Sequence, residues 1–145
     1  MSKVGEEMNT QDIGEKIAFA MVSGYAIFAF VRGVFFFVED DNVLKDSEFY
    51  TVLDNAMSIW MWGLILMVFS VILFVGAWLI PLEKHQQYCK VFLVTGGTGV
   101  CIIYFLMTSA SMFNAINWLT WAQFAVLTAK SGAIAIIGGM MKHDR

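Results

Sequence analysis

The chain has 145 residues, 59% hydrophobic and only 14% charged, with a formal net charge of −3. That balance falls outside the range of soluble domains, and nine basic residues set against twelve acidic ones leave no basic cluster large enough for nucleic acid. Cys89 and Cys101 fall on one predicted helix, about 18 Å apart at 1.5 Å per residue, so they cannot bridge within one chain.

Residues 1–16 place Val4, Met8 and Ile13 among Glu6, Glu7, Asp12 and Glu15. The pattern predicts a short amphipathic segment on the cytoplasmic surface. Its negative charge disfavours anionic lipid, so it is expected to dock on the protein's own ends or on a neighbouring subunit.

The first apolar run, Ile17 to Val38, has the length of about 20 residues that a helix needs to cross hydrocarbon. It lacks an A-x-A-like cleavage site and is expected to remain as a span. Arg32 lies near its outer end, where snorkelling is easy and where Glu39 or Asp54 is expected to approach the guanidinium.

The loop 39–54 carries Glu39, Asp40, Asp41, Asp46, Glu48 and Asp54 against Lys45. Such a segment suits simple solvation, and it also suits a basic partner or the concentration of cations at an opening. Phe49, Tyr50, Val52 and Leu53 within it predict a short interfacial helix capped by Asp46 or Ser47.

The second run, Ala56 to Ile80, excludes a water-soluble bundle, because Ile59 through Phe69 leaves no polar face for solvent. Trp60 and Trp62 are expected at its outer level and Trp78 at its inner end. Pro81 should stop the helix.

The third run, Val91 to Phe113, contains Thr95-Gly96-Gly97-Thr98-Gly99, which lacks the following lysine of a phosphate loop and reads instead as a thin packing surface. Asn114 and Asn117 bracket a tight turn, so the third and fourth spans are expected to form a hairpin. The fourth run, Trp118 to Met141, has Ala122, Ala125, Ala129 and Ala133 along one side, while Gly132, Ala135, Gly138 and Gly139 thin its second half. Small residues at three- and four-residue spacing permit close helix contact, and any small face left over is expected to become a subunit contact.

Lys130 stands near the middle of this fourth run and shares a helix face with Thr120, Gln123, Leu127 and Ile134. No span carries an Asp or Glu at its level. A cation at that depth is expected to be matched by water, by polar side chains or by an outside partner. Thr95, Thr98, Cys101 and Tyr104 of the third span, with Ser23 and Tyr25 of the first, are the candidates for a small polar centre around it.

Lys3, Lys16, Lys84, Lys90, Lys142 and Arg145 fall on one side of the implied topology and Lys45 alone on the other. This positive-inside pattern predicts cytoplasmic termini and an external acidic loop. His85 and His143 belong to no metal-ligand spacing, and Ser109, Ser111 and Ser131 have no histidine at matching depth, so neither a metal, a cofactor nor a catalytic set is expected. The ten methionines are scattered and read as gap-fillers.

The expectation is therefore an all-alpha membrane protein: an antiparallel bundle of four transmembrane helices with short loops, of a size that suits a bacterial cytoplasmic membrane. Its expected role is a small non-enzymatic component, surrounded by membrane lipid, that forms homo-oligomers or binds larger membrane machinery through small-residue faces at Ala125, Ala129, Ala133, Gly132 and Gly97. The alternative is a homo-oligomeric ion pore or transporter, including a phage-type hole former, lined by Thr120, Gln123 and Lys130 with Arg32 at its mouth.

Overall fold

Long stretches that are apolar on every side leave the backbone one economical way to satisfy its N–H and C=O groups out of water, which is the helix. The computed structural model describes the backbone of residues 2–38, 48–82, 86–114 and 118–141, and the side chains of 13–38, 50–82, 86–112 and 118–141. Among the described residues the elements are all helical: α1 (Ser2–Val38), α2 (Glu48–Ala56), α3 (Ile59–Leu79), α4 (Gln86–Asn114) and α5 (Trp118–Met140). Four of them, α1, α3, α4 and α5, are long and apolar enough to span a membrane.

Three boundaries differ from the sequence reading. The amphipathic segment 1–16 and the first span are not separate: α1 runs unbroken for 37 residues, about 55 Å. The sequence up to Lys16 holds Glu, Lys, Met and Gln, all good helix formers, and no proline, so nothing stops the helix where the hydrocarbon pattern begins. The second span begins at Ile59 rather than Ala56, because Met57 and Ser58 break the chain between α2 and α3. There the Asp54 carboxylate accepts the Ile59 N–H at 3.3 Å, satisfying a donor that the first turn of α3 leaves open. The third begins at Gln86, five residues before Val91, since its polar opening residues are as compatible with helix as the apolar ones that follow.

A short helix forms over the loop aromatics, and the expected caps Asp46 and Ser47 lie outside the described residues. Tyr50 packs edge-on against Phe36 of α1, ring centroids 6.2 Å apart. The indole N–H of Trp62, a buried side chain of α3, donates to the carbonyls of Met57 at 2.8 Å and Leu53 at 3.3 Å. Trp62 therefore ties the carboxyl end of α2 to the start of α3, whereas Trp60 is exposed and meets Phe37 at 6.5 Å.

Neighbouring long helices meet where side chains are smallest. Between α1 and α3, a methyl group on Gly63 would come within 2.5 Å of the Gly33 carbonyl oxygen, so these two backbones touch through paired glycines. A methyl on Gly96 of α4 would meet the Leu73 backbone of α3 at 2.6 Å, and one on Gly97 the Ala135 backbone of α5 at 3.0 Å. In lipid, where burial of apolar surface gives little, such backbone approach is what holds helices together. The helices thus pack in chain order, α1 on α3, α3 on α4, and α4 on α5.

Candidate functional site

The contact between the first and last helices is made differently. α1 and α5 approach each other through long side chains rather than through backbone. On α5, Phe124, Ser131 and Gly138 are buried at seven-residue intervals, and they define the line that faces the rest of the protein. Lys130 lies next to that line, on its outer edge, and its side chain is exposed.

Two residues of α1, spaced two helical turns apart, reach across. Tyr25 is buried, and its hydroxyl donates to the Leu127 carbonyl at 2.8 Å. The Lys130 ammonium stands 5.0 Å from the centroid of the same ring. Arg32 lies over Phe124, its guanidinium carbon 4.6 Å from the ring centroid, with Phe36 at 6.0 Å on its own helix. Each helix therefore supplies one cation and one aromatic ring, and each cation rests on the ring of the other helix.

The energetics of the two cations differ. Arg32 is half-buried against two rings, Phe124 of α5 and Phe36 of its own helix. Lys130 is about 18 Å from the Trp118 end of its helix and about 15 Å from the Met140 end, distances that a lysine stem does not cover. A ring contact contributes roughly 0.5 to 2 kcal/mol, whereas an ammonium at the centre of a spanning helix costs about 2.5 to 3.5 kcal/mol on the permissive insertion scale. Tyr25 offsets part of that cost and leaves the outer side of the ammonium uncovered.

Behind the seam lies a thin polar layer. Cys101 donates to the Thr128 carbonyl at 3.5 Å, and the Thr108 and Thr128 hydroxyls are 3.3 Å apart. Ser131 returns its hydroxyl to the Leu127 carbonyl at 2.8 Å, the oxygen that Tyr25 also uses. Among the described residues the hydroxyl of Tyr104, a fully buried side chain, has no hydrogen-bond partner.

Of the residues singled out in the sequence, Tyr25 and Lys130 come together, and Cys101 and Tyr104 lie close behind. Thr95 and Thr98 are exposed on α4, and Ser23 turns back to the Ala20 carbonyl of its own helix, so these three do not join the centre. Asp54 caps α3 instead of approaching Arg32, because an open helix N-terminus lies nearer in sequence; Glu39 lies outside the described residues. Gln123 is exposed beside Lys130 and Thr120 is half-buried. Gly97 and Gly132 face the α4–α5 contact, Ala125 is half-buried, and Ala129 and Ala133 point outward.

Phe124 was not anticipated. Its signal was the seven-residue interval to Ser131 and Gly138, which marks an inward line in a helix whose overall apolarity hides it. Among the described residues no group of His, Cys, Asp and Glu side chains converges on a metal position, and His85 and His143 lie outside them, as does most of the acidic loop. Compared with known proteins, the chain matches no family model, no curated protein and no solved structure.

Proposed function

We propose that this chain is a small, non-catalytic integral membrane protein, four antiparallel spans with both termini cytoplasmic, whose role is to assemble with other membrane helices. The observation that carries this reading is the surface of α5. Only 17% of its most apolar stretch is buried, against 33 to 44% in the other three spans. The uncovered side displays Gln123, Ala129, Lys130 and Ala133, which are polar or small and suit a helix neighbour better than lipid tails. The positive-inside distribution of lysines supports the orientation.

The test is the mass of the particle after extraction in a mild detergent, for the wild type and for Ala129→Leu and Ala133→Leu. Assembly into a homo-oligomer or a mixed complex, weakened by either enlargement, is the expected result. A lone chain at every protein concentration, unaffected by the substitutions, overturns it.

A second reading has one observation in its favour: Gln123 and Lys130 are exposed one above the other, as residues facing a water-filled lumen between several copies would be. On that reading Lys130→Met changes ion flux in proteoliposomes while assembly persists. Unchanged flux removes it.

A further inference from the structure

The exposed residues of α5 form an ordered seam. Leu119, Gln123, Val126, Lys130, Ala133 and Ile137 follow one another in alternating steps of four and three, and all six are exposed. Steps of four and three keep a line of side chains on one side of a helix along its whole length, so this exposed seam has the register of a helix contact.

Resting on the assembly reading, we infer that the seam docks a transmembrane helix of another protein that carries a carboxylate at mid-depth, placed against Lys130. Charge complementarity selects this occupant over two others. Residues 17–38, 59–79, 86–112 and 118–140 contain no Asp or Glu, so a second copy of this chain offers no anion at that level. A two-fold contact through the seam would bring Lys130 against Lys130. Anionic lipid headgroups lie at the ends of the helix, too far away to reach the ammonium. A partner carboxylate supplies the counter-charge that these two lack, and the geometry receives it: the Tyr25 ring backs the ammonium on one side, and the side chain is otherwise exposed. Ala133, one turn on, lets the partner backbone come close, and Gln123, two turns earlier, offers an amide for a second polar contact that fixes register.

The test uses a defined probe: fluorescent polyleucine helices of about 20 residues, bearing a central Glu, a central Lys or neither, mixed with the labelled full-length protein in phosphatidylcholine vesicles and read by energy transfer. The Glu helix is expected to associate about tenfold more tightly than the all-Leu helix, and Lys130→Met to erase the difference. Lys130→Glu should shift the preference to the Lys helix, a gain that a misfolded variant cannot mimic. Equal association of the Glu and all-Leu helices with the wild type overturns the inference. Cross-linking of Ala133→Cys to itself, undisturbed by the Glu helix, also overturns it and assigns the seam to a second copy, leaving the assembly reading intact. A chain that binds no helix and remains alone in detergent loses both.

Discussion

Lys130 of the last helix rests 5.0 Å from the ring centroid of Tyr25 in the first, and the hydroxyl of that ring holds the Leu127 carbonyl one turn away. One tyrosine thereby joins two helices whose backbones do not pack together, and it carries the only lysine found at mid-depth in the four spans.

Tyr25→Phe separates these two roles. It keeps the ring beneath Lys130 and removes the hydrogen bond, so a loss of about 0.6 to 1 kcal/mol is expected. Tyr25→Ala removes both the ring and its packing, and about 3 kcal/mol or more should be lost. Unfolding in mixed micelles as the fraction of dodecyl sulfate is raised measures both, and equal effects from the two variants would contradict the arrangement.

Gly63→Ala and Gly24→Ala are the same chemical change in different surroundings. At Gly63 the added methyl meets the Gly33 carbonyl oxygen at 2.5 Å and the Phe37 backbone nitrogen at 2.7 Å, and backbone cannot step aside as a side chain can. Separation of α1 from α3 and a loss of about 1 to 3 kcal/mol follow. At Gly24 no atom lies within 4 Å, so stability should hold or rise slightly through helix propensity. The same micelle titration compares them.

Trp62→Phe retains an aromatic ring and deletes the indole N–H that serves Met57 and Leu53. The carboxyl turn of α2 then loses its tie to α3, at about 1 to 2 kcal/mol. Hydrogen exchange should quicken in residues 48–58 and remain slow in the middle of α3; uniform quickening of both would show that the tie serves the whole bundle instead.

Arg32→Lys tests whether the guanidinium is held by its flat face. An ammonium cannot stack on Phe124 as a planar cation does, so this conservative change should cost about 0.5 to 1 kcal/mol despite preserving charge. Arg32→Met, which keeps a long apolar stem and no cation, should cost at least as much. Thermal aggregation in detergent ranks the two.

The sequence by itself determined the number of long helices and the apolar stretch within each, though not the polar turns that open the first and third of them. In an apolar run the length alone says whether hydrocarbon can be crossed, and Pro81 ends a helix wherever it is packed. It also marked Lys130 and Arg32, since a cation within an apolar run is legible without coordinates. The tertiary structure decided which faces meet. Gly33 and Gly63 lie in different apolar runs, yet they form one contact, because a close approach is a property of two helices and each contributes only half of it. Likewise the seven-residue line through Phe124, Ser131 and Gly138 marks an inward face of α5 but not the helix that it meets. Tyr25 and Phe124 became partners of Lys130 and Arg32 only when α1 and α5 were brought side by side, where each cation meets a ring face of the opposite helix.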